Sequence, residues 1–164
     1  MIAIFFAIHR HYKELAKELS LENYTDEARV VRNRVIMPVS GVHKGTMAAL
    51  RYARTLSNDI TAVHVSIDAK ETAKVEAKWM EWGEGYRMII LNSPYRLFYE
   101  PLMEYIDRIE ESCRPGDVIT IVVPQFVPRS FLSIFLHTRT AESLRKILLN
   151  RENIVITEVP YQVQ

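Results

Sequence analysis

The sequence has little of what several classes of protein require. It contains one cysteine, Cys113, which excludes an internal disulfide framework and indicates a reducing compartment. Its formal net charge is only +1 at pH 7, whereas nonspecific nucleic-acid binding needs a sizeable basic excess, so no nucleic-acid partner is expected. With 164 residues and an ordinary share of apolar side chains, the sequence predicts one domain with a core of its own.

Patterns typical of catalysis and metal binding are also missing. The sequence has no nucleophile elbow, no H-E-x-x-H motif and no pair of carboxylates in a loop after a strand. The histidines lack a cysteine or carboxylate at ligand spacing, so no metal site is expected, and His64 inside an apolar run is predicted to be a core residue. Cys113 has no activating neighbour and is predicted to be an apolar contact. These features predict a protein that is not an enzyme.

The N terminus combines an apolar run, Met1 to Ile8, with a basic stretch, His9 to Lys13. The run is shorter than the roughly 20 residues that cross a bilayer, and a signal peptide would carry its charges before the run. One interpretation is a helix whose apolar end packs on the domain or on a second copy. We favour the other, the cytoplasmic end of a last transmembrane helix, because basic residues directly follow the run. Residues 1–22 would then hold this end and an amphipathic helix, 23–33 a linker, and 34–164 the domain.

Five apolar runs follow the linker, each nearly continuous in Val, Ile and Leu, which indicates strands that are buried on both faces. They are Arg34 to Ser40, Ile60 to Ile67, Met88 to Leu91, Val118 to Val123 and Ile154 to Val159. Helical patterns separate them, at Thr46 to Ser57, Ala69 to Gly83, Phe98 to Cys113 and Thr140 to Asn150. The alternation predicts an α/β domain with a five-stranded parallel sheet and helices on both faces. The tryptophans, Trp79 and Trp82, are expected to be packing residues.

Ligands of open α/β sheets bind beyond the carboxyl ends of the strands, where the strand order reverses. The loop after the first strand opens directly into a helix. Its two glycines permit a tight turn, and free amides at a helix N terminus attract anions, helped here by Lys44. The alternative is a plain strand-to-helix turn. The candidate nucleotide-binding residues in this loop are Val39, Ser40, Gly41, His43, Lys44 and Gly45.

The connection after the fourth strand, Pro124 to Thr140, is long for such a unit, and long loops are usually functional. It contains an apolar patch, Phe131 to Leu136, of the kind that meets another surface. The alternative is a short helix of its own that packs on the core. Its arginines could hold phosphate oxygens, and its threonines could donate hydroxyl hydrogen bonds. The candidates are Arg129, His137, Thr138, Arg139 and Thr140.

The alternation and its loops resemble the universal stress protein family over residues 34 to 159. The resemblance implies the sheet order 3-2-1-4-5, and Pro38-Val-Ser40 resembles the adenine-side segment of that family. ATP-binding members carry G-x2-G-x9-G-(S/T) after the fourth strand. Here Pro124 and Gln125 stand where that glycine-rich stretch should begin, and only Thr138 of the pattern is present. We therefore expect no ATP binding of this type and weak or no ATP hydrolysis.

A second resemblance combines the two ends of the chain. The apolar helix end, the basic helix and three motifs are similar to the C-terminal region of amino-acid-permease (APC) superfamily transporters. The motifs are Val123-Pro-Gln-Phe-Val-Pro-Arg129, Leu136-His-Thr-Arg-Thr-Ala141 and Val159-Pro-Tyr161. The branch resembled carries a stress-protein-like cytosolic domain and includes proton-coupled potassium importers regulated by cyclic di-AMP.

The resemblance implies a regulatory and dimerisation domain at the cytoplasmic face of the membrane. It would be joined to the transmembrane transport core of an amino-acid or potassium transporter. The alternative is a free-standing, soluble, nucleotide-binding universal stress protein. No cofactor is expected, and the implied ligand is an adenine nucleotide such as cyclic di-AMP. We expect it between the loop at 39–45 and the segment at 129–140, with Lys78 on an outer helix away from the site.

The resemblance also implies a homodimer. In the family's strand order the last strand lies at the sheet edge, where its unpaired backbone groups invite a second copy. The apolar patch after the fourth strand would add contact area. The expected interface residues are Phe131, Phe135, Ile154 and Ile156.

Overall fold

In the computed structural model, the described residues form an N-terminal helix and then five strands that alternate with four helices. The structure describes residues 2–20, 32–93, 95, 97–127, 139–149 and 151–162. The elements are α1 (Ile2–Glu18), β1 (Arg32–Pro38), α2 (Lys44–Leu56), β2 (Ile60–Ser66), α3 (Ala69–Trp82), β3 (Arg87–Asn92), α4 (Tyr99–Glu111), β4 (Asp117–Val127), α5 (Arg139–Leu148) and β5 (Ile154–Gln162). The predicted alternation of strands and helices is confirmed.

All five strands are parallel, in the order β3-β2-β1-β4-β5. Val35 of β1 lies opposite Ile60 of β2 on one side and Thr120 of β4 on the other. The order expected from the stress-protein resemblance is therefore confirmed. The strand order reverses between β1 and β4, so the carboxyl ends of these two strands flank the point where α/β sheets bind ligands.

Each face of the sheet packs on a pair of helices. Val35 and Met37 point to the core under α2 and α3, whereas Ile36 between them points to the core under α4 and α5. Alternate side chains of a strand face opposite ways, so a continuous apolar run is needed when both faces are covered. This requirement explains why the central strands have the uniform composition seen in the sequence.

The edge strand β5 departs from the prediction that it is buried on both faces. Ile154 and Ile156 are half-buried against the core under α4 and α5, whereas Val155 on the other face is 49% exposed. None of the described β5 residues is fully buried. The prediction was wrong for this strand because a strand with one neighbour is covered less completely than a central one.

Strand β4 is longer than the apolar run predicted, since it continues through Pro124 to Val127. It pairs with β1 only as far as Ile121, and then with β5 alone. The Ile119 amide donates to the Asn153 carbonyl of the β5 side. By alternation, the position of Pro124 faces the β1 side, beyond the end of that pairing, where a missing N–H removes no ladder hydrogen bond. The connection to α5 is correspondingly shorter, and residues 128–138 lie outside the described part of the chain.

Helix α1 ends at Glu18 rather than at the predicted Glu22. Its described apolar side chains Ile4, Phe6 and Ile8 are all exposed. Among the residues that the structure describes, no helix combines the length and the apolar character needed to cross a bilayer. The interpretation of residues 1–8 as the end of a membrane helix stays a prediction.

Candidate functional site

The loop after β1 is held by hydrogen bonds of its own. His43 is the N-cap of α2, and its Nδ1 accepts from the Thr46 amide at 3.1 Å. The Thr46 hydroxyl donates to the Gly41 carbonyl oxygen at 2.6 Å. One of the free amides expected to attract an anion at this helix end is thus used by the His43 ring. The imidazole takes the role more often filled by Ser, Thr, Asp or Asn.

The surroundings of the His43 ring favour its neutral form. Burial lowers the pKa of the imidazole below its usual value, a backbone hydrogen bond of the residue opposes this in part, and the charge of Lys78 lowers it further. A neutral imidazole has one bare nitrogen, which here must be Nδ1, because it accepts from an amide. The cap and the neutral state therefore depend on each other.

A cavity of about 600 Å³ lies where the first half of α2 faces the second half of α3 and the end of β5. Lys44, Ala48 and Arg51 line it from α2, where spacings of four and three residues place them on one helix face. Lys78 and Trp82, four residues apart, line it from α3. The remaining lining residues are Val42, His43, Met47 and Tyr161.

The described residues leave the charge in this cavity uncompensated. They line it with Lys44, Arg51 and Lys78 but with no acidic side chain. Within the described part of the chain, none of the three cations forms an ion pair, although other basic residues of the same two helices do, such as Arg54 with Glu84. Three like charges that share a cavity repel one another and are stabilised by an anion between them. The arrangement is suited to a ligand that carries more than one negative charge.

Two aromatic side chains add flat apolar surface to the charged walls. Trp82 is 57% exposed and Tyr161 is half-buried, so both present ring surface to the cavity. Trp79, one turn earlier, is buried and donates from Nε1 to the Tyr86 carbonyl oxygen at 2.8 Å. The expectation that both tryptophans are packing residues holds for Trp79 and was wrong for Trp82. Cations together with exposed aromatic rings are features that bind a nucleotide's phosphate and base.

The candidate residues of the first loop lie in different surroundings. His43 and Lys44 line the cavity, whereas Ser40 is exposed at the end of β1. The Val39 side chain is buried under α2 and α3, and its amide donates to the Val63 carbonyl oxygen at 2.8 Å. The remaining two are Gly41, whose carbonyl is used by Thr46, and Gly45, which is buried in the first turn of α2.

The second predicted segment lies largely outside the described residues. Five of its candidates fall within residues 128–138, which lie outside the described part of the chain, namely Arg129, Phe131, Phe135, His137 and Thr138. Arg139 and Thr140 begin α5, but their side chains lie outside what the structure describes. The segment leaves β4 at Val127, which pairs with Gln162, so it starts next to the Tyr161 end of the cavity.

Sequence reasoning missed Arg51, Trp82 and Tyr161 as candidate site residues, and it placed Lys78 outside the site. The structure contradicts that placement, since Lys78 lines the same cavity as His43 and its charge acts on the His43 ring. The helical spacing within α2 and within α3 was readable from the sequence. Which faces of the two helices meet was not, because that depends on how both helices pack on the sheet.

The described residues contain no group of three His, Cys, Asp or Glu side chains placed to hold a metal ion. The parallel sheet with helices on both faces defines an open α/β domain. The family model of the KimA potassium transporter C-terminal domain matches residues 31–161. The chain belongs to this family, which is a transporter domain and not an enzyme family, and the resemblance to a transporter C-terminal region is confirmed.

The chain is also similar to a curated transporter. It is 30% identical over 162 residues to the potassium transporter KimA of Bacillus subtilis (strain 168). The aligned region covers 98% of this chain and 26% of that protein. The chain thus spans about a quarter of the length of the relative it matches.

Proposed function

We propose that this chain is the cytosolic regulatory domain of a potassium transporter and that it binds an adenine nucleotide, cyclic di-AMP in particular. The observation that carries the proposal is the set of three cations without a described acidic partner, Lys44, Arg51 and Lys78, in one cavity with Trp82. The ligand's identity comes from the transporter branch that the sequence resembles. The geometry of the cavity supports the location of the site.

Size and charge support a cyclic dinucleotide. Ligand pockets hold about 300–1,000 Å³, and this cavity has about 600 Å³. A cyclic dinucleotide carries one negative charge on each of its two phosphodiesters. Charge-assisted hydrogen bonds to such groups contribute about 1.5–3 kcal/mol each, and stacking of a base on an aromatic ring contributes about 1–3 kcal/mol.

We propose that the ligand also contacts the segment from Arg129 to Thr140. Strand β4, which precedes this segment, is the neighbour of β1 at the point where the strand order reverses, and its last residue Val127 pairs with Gln162 beside Tyr161. The two guanidinium groups of the segment, Arg129 and Arg139, would then bind the phosphates.

Titration of the chain with cyclic di-AMP by calorimetry tests the nucleotide proposal. Lys78→Ala should weaken binding about tenfold or more, because one charge-assisted bond is lost. Lys74→Ala is the matched control, since Lys74 lies one turn earlier on α3, pairs with Glu71 and does not line the cavity. Equal affinities of the two variants would contradict the proposed site. The absence of saturable binding up to about millimolar cyclic di-AMP would contradict the proposed ligand.

We further propose that two copies associate through the free edge of β5. Because the Asn153 carbonyl faces β4, alternation turns the Thr157 amide towards β4 and the amides of Ile156 and Glu158 towards the free edge. Unpaired edge amides are a template for another strand. Pro160 faces the same edge and has no N–H, so the pairing would end before it.

In this proposed interface the predicted residues would have two different roles. The side chains of Ile154 and Ile156 pack against the domain's own core, so they would contribute backbone groups rather than apolar surface. Phe131 and Phe135 remain part of the proposal as added apolar area.

The gene's upstream reading frame distinguishes the transporter domain from a free-standing nucleotide-binding protein. Continuous hydrophobic helices encoded upstream of Met1 support the transporter domain. A stop codon directly before Met1 would support the free-standing protein.

A further inference from the structure

A second cavity, of about 380 Å³, lies at the amino edge of the sheet, opposite the edge that the nucleotide proposal concerns. Its walls come from the beginnings of β1, β2 and β3 and from the second half of α4. The lining residues that matter here are Arg32, Arg34, Asp59, Thr61, Arg87 and Tyr105.

Strand geometry brings arginines from two different strands to one face. Thr61 lies opposite both Ile36 and Arg87 in the sheet register. Ile36 points to the core under α4 and α5. Arg34, two residues earlier on β1, shares that face with Arg87. Neighbouring strands are about 4.8 Å apart, so β1 and β3 are about 10 Å apart, a span that two long side chains can close around one ion.

The positive charge here exceeds the negative charge. Asp59 Oδ2 lies 2.6 Å from Arg32 Nη2, in an ion pair without hydrogen-bond alignment. Arg34 donates from Nη1 to the neutral Ser112 hydroxyl at 2.6 Å. Arg87 has no acidic partner among the residues that the structure describes. Two of the three guanidinium charges therefore have no carboxylate partner in the part of the chain that the structure describes.

The Nε–H group of Arg34 gives further support for a ligand. This atom is buried, and it has no hydrogen-bond acceptor among the described residues. A buried donor on a charged group is costly without an acceptor, and such groups in folded proteins are paired with few exceptions. The Arg34 head group, which lines the cavity, therefore keeps hydrogen-bonding capacity that the described residues do not use.

We propose that the amino edge of the sheet binds a phosphate group between Arg34 and Arg87, with the Thr61 hydroxyl as a neutral donor. Planar guanidinium groups donate two parallel hydrogen bonds to phosphate oxygens, and a tetrahedral anion accepts from side chains that approach from different strands. The phosphate is either free in solution or the headgroup of an anionic lipid. The site shares no residue with the nucleotide cavity and does not depend on it.

The competing explanation is structural. Ser112 follows the last turn of α4, and cations are favourable near a helix C terminus. Under that explanation Arg34 and Arg87 only balance the exposed carbonyls, and added phosphate changes nothing.

The test uses Arg87→Gln, because Arg87 is exposed and its replacement leaves the core intact. Inorganic phosphate is titrated into the chain while the Nε–H signals of the arginines are followed by NMR. We expect a saturable shift of the Arg34 signal, weakened about tenfold by Arg87→Gln. Arg54→Gln, on α2 and paired with Glu84, is the control and should leave the shift unchanged.

A second measurement identifies the source of the phosphate. The chain is sedimented with vesicles of phosphatidylcholine alone or mixed with phosphatidylglycerol. Loss of binding to the mixed vesicles in Arg87→Gln, but not in Arg54→Gln, assigns the site to a lipid headgroup. Equal vesicle binding with a saturable phosphate shift assigns it to free phosphate.

The proposal is overturned if the Arg34 signal shows no saturable shift and Arg87→Gln behaves as the unmodified chain in both measurements. Cyclic di-AMP affinity should be the same in Arg87→Gln and the unmodified chain. Failure of the nucleotide proposal would therefore be seen separately from failure of this one.

Discussion

The Nδ1 atom of His64 lies 2.7 Å from the carbonyl oxygen of Val39. A carbonyl only accepts, so Nδ1 donates this hydrogen bond, and Nε2 faces the Thr72 hydroxyl at 3.3 Å. That hydroxyl in turn donates to Ser66 Oγ at 2.8 Å. The buried histidine thus ties the end of β1 to β2 and to the first turn of α3, next to the loop that contributes His43 to the cavity between α2 and α3. The predicted core role of His64 is confirmed.

Replacing His64 should destabilise the domain. His64→Leu replaces the imidazole by an apolar side chain of comparable size. The change leaves the buried Val39 carbonyl without a donor, at a cost of about 1–3 kcal/mol. Chemical denaturation of the variant measures the loss. Thr72→Val removes the longer hydrogen bond to His64 together with the one to the partly exposed Ser66, and it should cost less because the Val39 carbonyl keeps its donor. A smaller loss for His64→Leu than for Thr72→Val would contradict this account.

The two tryptophans of α3 should separate binding from stability. Trp82→Ala removes a half-exposed ring from the cavity wall and should weaken nucleotide binding by about 1–3 kcal/mol with little change in the free energy of unfolding. Trp79→Ala empties a buried site and should cost about 3–5 kcal/mol of stability. Calorimetry and denaturation on both variants provide the comparison. Unchanged binding in a folded Trp82→Ala variant would exclude the ring from the site.

Stability should depend on pH through His43. Its pKa in the folded chain lies below the usual value of 6.5, so on acidification the unfolded chain takes up the proton first. The contribution of His43 is therefore complete above pH 6.5 and is lost as the pH falls through the lowered pKa of the folded state. Thermal unfolding followed between about pH 5 and pH 7.5 measures the loss.

The control for the pH effect is His43→Asn. Asparagine is a good N-cap that does not titrate in this range. The variant therefore keeps the cap but has no group at position 43 that takes up a proton. The variant should show a shallower fall in melting temperature on acidification than the unmodified chain. Parallel curves would mean that carboxylates elsewhere account for the whole pH dependence.

The edge of β5 predicts how association can be blocked. Glu158→Pro removes an amide that faces the free edge and leaves the hydrogen bonds to β4 in place, so the variant should fold as a monomer. Light scattering at high micromolar concentration should show a dimer for the unmodified chain. Thr157→Pro, whose amide faces β4, should instead destabilise the fold. A monomeric unmodified chain would overturn the dimer proposal.

The sequence alone determined the class of the fold. Continuous apolar runs such as Val35 to Met37 are required when both faces of a strand are covered, so they indicate a parallel sheet between helices before any contact is known. The strand order came from the family resemblance rather than from the runs. The length of β4 was missed because Pro124 reads as a strand end. It is tolerated where β4 has lost its β1 neighbour, which is a fact of the register.

Only the tertiary structure determined which residues come together in the candidate site. The spacing of Lys44 and Arg51 places both on one face of α2, and this much is local. That Lys78 and Trp82 of α3 face them, with Tyr161 from the far end of the chain, follows from how two helices and an edge strand pack on one sheet. Such an arrangement joins residues at least 27 positions apart, the separation of Arg51 and Lys78, and no local spacing encodes it. The helix periods determine which side chains share a face, and the packing determines which faces meet.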